Sequence, residues 1–284
     1  SGKIWPGEIA VYQSSDEENF GLNTTLQSRS VIGVTGSALE KAPSGVIDHK
    51  AALTVRLIHG ALSSISDASL LSGGNLAAIG DGSPGGWEIV QFQGAELVGP
   101  NTFELSRMLR GQAGTDAIAP DHWPEGSWFV LLNGVPKQIE FASNLRNVEQ
   151  NFLIGPAKSG YDHPSFLSRT FSFAGNGLRP LAPAHLRVDD LTADHGFYWI
   201  RRTRIEGDDW GTSDVPIGEE IESYALRVTS GGEIVREEIL NAPEWAYSFA
   251  LRAADGVSGV YSIGVAQISA RYGAGPFASV QALG

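Results

Sequence analysis

Seven tryptophans stand in this sequence, and three of them lie in or at the edges of loops. They are Trp87 after Gly85-Gly86, Trp123 in Asp121-His-Trp-Pro124, and Trp210 in Asp208-Asp-Trp-Gly211. A loop tryptophan with acids or amides nearby offers a sugar ring a flat apolar surface and polar groups for its hydroxyls. Trp87, Trp123 and Trp210, together with Asp208, Asp209 and Asp214, are therefore the candidate ligand-binding residues. Loops also plug barrel mouths and sandwich ends, so packing is the competing role for each tryptophan. Trp128 and Trp199 sit inside apolar strands and are assigned to the core. The segment Glu206 to Asp214 has the clustered oxygens that a calcium ion wants, but not the glycine and glutamate spacing of a helix-loop-helix calcium loop. A solvated connection between two strands is the plainer reading. The neighbouring run Arg201-Arg202-Thr203-Arg204 is expected to pair with nearby acids, the sharper alternative being an anionic polysaccharide.

Catalytic motifs are scarce. There is no Gly-x-Ser-x-Gly elbow, no phosphate-binding Gly-x-x-x-x-Gly-Lys-Ser/Thr loop and no His-Glu-x-x-His pair. The six histidines are scattered singly, the pattern of surface or packing residues rather than of a metal site. A glycosidase would need two carboxylates about 5–10 Å apart across a cleft, a gap no sequence measures. No catalytic residue, metal ligand or cofactor is assigned.

The chain has 284 residues and no cysteine, which removes disulfides, thiolate metal sites and cysteine catalysis together. Its net charge of −12 repels phosphate backbones, so nucleic acid is not an expected partner. No window approaches the ~18 apolar residues of a membrane span, and the start carries no signal-peptide pattern. The opening Ser1-Gly2-Lys3, without methionine, reads as a piece of a longer polypeptide, a short tag remnant, or both.

The elements that must position the candidates are mostly strands. Glycine and proline interrupt the chain too often for long helices. Short, often alternating apolar runs such as Glu8–Tyr12, Leu53–Ile58, Trp87–Phe92 and Trp128–Leu132 read as strands. Two helical turns are expected. One spans Asp67 to Leu71, with Asp67 as a possible cap and Gly73 as its stop; the other spans Leu105 to Arg110, with Leu105, Met108 and Leu109 on one face. The stretch Ala174 to Pro183 lacks periodicity and marks a boundary. Charge divides evenly across it: from residue 177 on there are nine arginines against fifteen acids, and before it eleven basic against seventeen acidic residues. After the boundary, strands are expected at Leu186–Val188, Gly196–Arg201, Ser223–Thr229, Glu233–Leu240, Ala246–Arg252, Tyr261–Ser269 and from Phe277, with Gly231-Gly232 and Asp255-Gly256 as turns. The fold class is mainly β. A β-barrel-like or mixed β domain over residues 1–176 precedes a β-sandwich over residues 177–284.

Pro180 and Pro183 before Leu186, then Trp199, Tyr224-Ala-Leu-Arg-Val228, Tyr261-x-Ile-x-Val265 and Gly273-Ala-Gly275, resemble a fibronectin type III domain. Phe103-Glu-Leu-Ser-Arg-Met-Leu-Arg-Gly-Gln-Ala-Gly-Thr115 and the strand Ser127-Trp-Phe-Val-Leu-Leu132 resemble a motif of siphophage tail-tip and host-specificity proteins, a group that includes the large distal tail protein of gene transfer agents. Trp199 to Arg204, Trp210, Asp214 to Glu219 and Glu222-x-Tyr224 are similar to the C-terminal part of that same protein. The resemblance implies a C-terminal piece of a tail-tip protein at the distal tip of a virion or virion-like particle. Its implied partners are host surface polysaccharide or an outer-membrane component, other tail-tip or hub proteins, and further copies of itself. The function expected is attachment to the host cell surface. Two alternatives stay open: a tail depolymerase that degrades glycan, and a structural spacer that binds no ligand. For the motif from Arg107 to Thr115, a tight turn with Arg110 bonding backbone carbonyls is the bland expectation.

Overall fold

Short runs with apolar residues at alternate positions cannot bury both faces alone, and this chain resolves the problem by closing one sheet on itself and packing two others face to face. In the computed structural model, residues 5–190, 193–205, 207 and 215–284 are described. The chain divides into two compact units, Ser1–Gly175 and Asn176–Gly284.

The first unit contains strands β1 (Ile9–Ser14), β2 (Gly21–Leu26), β3 (Ile32–Thr35), β4 (Leu39–Glu40) and β5 (Ile47–His59), then helix α1 (Asp67–Leu71). Strands β6 (Leu76–Gly80), β7 (Trp87–Gly99), β8 (Thr102–Gln112), β9 (His122–Trp123), β10 (Trp128–Leu131), β11 (Glu149–Pro156) and β12 (Leu167–Ser172) follow. Six strands close into an antiparallel barrel in the order β10-β3-β5-β8-β7-β6. Closure leaves no open edge among these strands. The interior is filled by Leu53, Val55, Ile79, Val90, Phe92, Leu105, Met108 and Phe129, all inaccessible to solvent. The segments before and after the barrel meet in a separate sheet, β12-β11-β1-β2.

Helix α1 covers the expected residues, but its cap is Ser66, whose hydroxyl accepts from the Ser69 amide, and not Asp67. Asp67 instead lies in the first turn, and Gly73 follows the end at φ 86°. The second expected helical turn is absent: Leu105 to Arg110 lies within β8. Leu105 and Met108 do share an environment three residues apart, as a helix would give, but Arg107 between them adopts φ 53°. A left-handed residue breaks the two-residue alternation of a strand and so imitates helical spacing.

The second unit contains β13 (Ala184–Asp189), β14 (His195–Ile200), β15 (Tyr224–Ser230), β16 (Glu233–Leu240), β17 (Glu244–Tyr247), helix α2 (Phe249–Ala254), β18 (Val260–Ser269), β19 (Gly273–Ala274) and β20 (Ala278–Leu283). One sheet runs β13-β14-β17; the other runs β16-β15-β18, with β20 on the far side of β18. This is the strand order of a fibronectin type III-like sandwich. Phe197, Trp199 and Tyr247 from one sheet and Tyr224, Leu226, Val228, Tyr261, Ile263 and Val265 from the other form a single core. Gly231 and Gly232 make the β15–β16 turn, both at positive φ. Of the expected strand Ala246–Arg252, only Ala246 and Tyr247 belong to a strand, β17. It ends at Tyr247, and Ser248 then caps α2 by accepting from the Leu251 amide. Asp255-Gly256 therefore ends a helix and does not turn a hairpin.

Candidate functional site

The motif from Arg107 to Thr115 builds the barrel's buried polar centre. Arg110 and Glu88 are both 1% exposed. The guanidinium donates from Nε to Glu88 Oε1 and from Nη2 to Oε2, each at 2.8 Å, and from Nη1 to the Glu40 carbonyl at 2.5 Å. The Gly111 amide donates to Oε1 at 2.9 Å and the Trp123 indole N–H to Oε2 at 2.7 Å. Each carboxylate oxygen thus accepts two bonds, which is what a buried charge requires. Arg110 does reach a backbone carbonyl, but its main partner is a carboxylate. Gly111 sits at φ 59°, and a Cβ there would stand 2.5 Å from Asp116 Cβ. Only glycine fits.

This network corrects one candidate. Trp123 pairs β9 with β4 opposite Leu39 and is 4% exposed within the barrel core. Its indole N–H is committed to Glu88, so it packs and offers no face to a ligand. A second correction concerns Trp128, expected in the core but 44% exposed on β10. Its neighbour Phe129 points inward instead. Trp199 is in the sandwich core as expected.

The inward turn of Glu88 forces Trp87 outward, because neighbours on a strand face opposite sides. Trp87 lies opposite Gly80, and Gly80 lies opposite Trp128 on its other flank. Residues opposite one another across antiparallel strands share a face. Trp87 and Trp128 therefore flank Gly80 in one row on the barrel's outer surface, with Val34 next to Trp128. The indole of Trp87 lies against the Gly80 backbone, where a Cβ would come within 2.5 Å of its Cδ2. Gly82, at φ 89°, borders Trp128; a Cβ there would be 3.3 Å from Cδ1 and Nε1. Among the described residues neither indole N–H has a protein acceptor. Ser83 donates to the Asp81 carboxylate through its hydroxyl (2.6 Å) and its amide (2.8 Å). These bonds hold the Asp81 carboxyl below the usual carboxylate range and fix an ionised acid beside the row. Two partly open aromatic faces, two donors and a fixed carboxylate make a surface chemically suited to sugar rings.

Of the sequence candidates among the described residues, only Trp87 reaches this surface. Asp208, Asp209, Trp210 and Asp214 lie outside the described residues, as does most of the expected calcium segment. Sequence reasoning missed Trp128 because Trp128 and Val130 are as apolar as Phe129 and Leu131, so alternation alone did not give the phase. The arginine run is paired with acids: Arg204 with Glu219 at 2.6 Å and Arg201 with Glu222 at 3.5 Å. Among the described residues no group of three or more His, Asp or Glu could hold a metal ion. No helix among them is long and apolar enough to cross a membrane.

Comparison with known proteins adds a family likeness. Residues 30–130, which take in the barrel strands except for the last residue of β10, match the family model described as Rcc01698-like, C-terminal. That match is consistent with a family related to gene transfer agents and phages. A search of the curated proteins finds no match. A solved structure, the rat CD45 extracellular region, domains d3-d4, is similar at 15% identity over 54% of this chain and 71% of that one, with a TM-score of 0.27. The sandwich assignment above rests on strand pairing and not on that likeness.

Proposed function

We propose that this chain is a recognition component of the distal tail tip of a phage or gene transfer agent and binds glycan on the host cell surface. The observation that carries this reading is the row Trp87–Gly80–Trp128 on the outside of the barrel. Both indoles rest on glycine backbone yet stay partly open with unpaired N–H donors, and a pyranose ring supplies both the C–H surface and the acceptors they lack. The match of residues 30–130 to a family consistent with gene transfer agents supports the particle context. Each site of this shallow kind binds weakly, and several copies around a tail axis raise the effective concentration.

A glycan array probed with the purified chain tests the proposal, followed by product sizing after incubation with each polysaccharide bound. Retention of a surface glycan with unchanged chain length is the expected result. Shortened products would replace recognition by depolymerisation. Absence of any bound glycan, with intact assembly into the tip, would reduce the chain to a spacer.

A further inference from the structure

The sheet β12-β11-β1-β2 carries an aromatic cluster that lies outside residues 30–130 and that the reading above does not use. Tyr12 of β1 has its ring 5.4 Å from Tyr161 and 6.0 Å from Phe166, and Phe20 lies 6.0 Å from Tyr161. Phe166 rests on the backbone of Gly155 in β11, where a Cβ would come within 2.5 Å of its Cγ. That glycine lets the loop before β12 lie flat on the sheet and brings Tyr161 over to the β1–β2 loop. The cluster is not sealed. Tyr161 is 43% exposed, Tyr12, Phe20 and Phe166 are half-buried, and among the described residues neither phenol hydroxyl has a protein partner.

Polar groups of the same two loops are held in place. Asp16 accepts from the Asn19 amide at 2.8 Å, the Asn19 side chain at 2.7 Å and the Ser14 hydroxyl at 2.7 Å. Across the cluster, His163 and Ser165 share a side-chain hydrogen bond of 2.8 Å. The two loops also set the sign of charge. Asp16, Glu17, Glu18 and Asp162 stand there against Lys158 alone, which disfavours an anionic sugar.

We infer that the Tyr12–Phe20–Tyr161–Phe166 cluster is a second saccharide site, selective for sugars without anionic groups. The rings take the C–H face of a pyranose, the free phenols and the fixed Asp16 carboxylate take its hydroxyls, and the surrounding acids turn away uronates and phosphorylated sugars. The inference rests on the proposal that the chain recognises glycans, but not on the barrel's tryptophan face.

Amide chemical-shift mapping of the intact chain separates the two sites. The probes are uncharged tetrasaccharides of glucose, mannose, galactose and N-acetylglucosamine, with a tetrasaccharide of alternating glucuronate and N-acetylglucosamine as the acidic counterpart. At least one uncharged probe is expected to move the amides of residues 15–20 and 160–166, while the acidic one leaves them in place. Tyr161→Ala is expected to weaken that binding at least tenfold with at most a small fall in melting temperature, since the side chain is partly exposed. Silence of both loops with every uncharged probe, equal or tighter binding of the acidic probe there, or wild-type affinity in Tyr161→Ala would overturn the inference. Shifts confined to residues 80–87 and 128 would overturn it while sparing the barrel face. Shifts confined to the two loops would support it and remove the barrel face from the proposed function.

Discussion

At the scale of single residues, burial decides which tryptophans are free to act. Trp123 and Trp128 are five positions apart, yet one is sealed against Glu88 and the other lies open on the barrel wall. Trp123→Ala removes a large core side chain and a hydrogen bond to a buried carboxylate, so a loss of about 3–5 kcal/mol is expected. Trp128→Ala takes away mostly exposed surface and should cost about 1 kcal/mol or less. Urea unfolding of both variants checks the contrast; equal destabilisation would reverse the assignment. Glu88 presents the same logic for charge. Glu88→Ala strands the Arg110 guanidinium without its carboxylate in the barrel interior, and about 3–5 kcal/mol is expected to be lost by the same measurement. The sequence offered no direct signal for this pair: Glu88 carries no mark of burial, and its partner Arg110 lies twenty-two positions away.

At the scale of elements, the strands were legible and their phases were not. Runs bounded by glycine, asparagine and proline place β1, β10, β15, β16 and β18 close to where the structure has them and mark only part of β5 and β7, because turn residues at both ends limit what a short apolar run can form. The phase fails where both faces are apolar, as in β10, and where a left-handed residue interrupts alternation, as at Arg107. The Ala246–Arg252 run fails for another reason: Ser248 is a good helix cap, and a local cap competes with strand pairing. The candidate surface shows the same split. Trp87 was legible from its place beside a glycine turn, whereas Trp128 needed the neighbouring strand. Gly80 joins the two, and its replacement is informative. Gly80→Val forces a branched side chain into the position the Trp87 indole occupies, and a loss of about 1–3 kcal/mol together with loss of glycan binding is expected. Retained binding in a folded Gly80→Val chain would separate the two tryptophans functionally.

At the scale of the whole molecule, two units with separate cores give two separate responses to conditions. The second unit carries a histidine and a paired aspartate that respond to acid. Burial, and then the positive charge of Arg252, hold His195 below its ordinary value of 6.5, and its Nδ1 lies 2.6 Å from the Tyr261 hydroxyl. A histidine with a lowered pKa is favoured neutral in the fold. Its contribution is complete above pH 6.5 and is lost as the pH falls through the lowered value. Asp255 acts further into acid. Its bonds from Arg236, at 2.7 and 2.9 Å, and from Tyr247, at 2.6 Å, hold it below 3.8. That contribution is complete above pH 3.8 and lost as the pH falls through the lowered pKa. The melting transition of the sandwich is thus expected to move down as the pH drops below 6.5, and His195→Gln to flatten the upper part of that slope. An unchanged transition between pH 7 and pH 5 would contradict the burial of a neutral histidine.

Recognition of a cell-surface glycan by the outside of the barrel is tested most directly by calorimetric titration. The glycan found on the array is titrated into the wild-type chain, Trp128→Ala and the double variant Trp87→Ala/Trp128→Ala, with each protein's melting temperature measured alongside. A loss of affinity of tenfold or more in Trp128→Ala, complete in the double variant, with the fold intact in both, is the predicted result. Undiminished affinity in a folded double variant would contradict it.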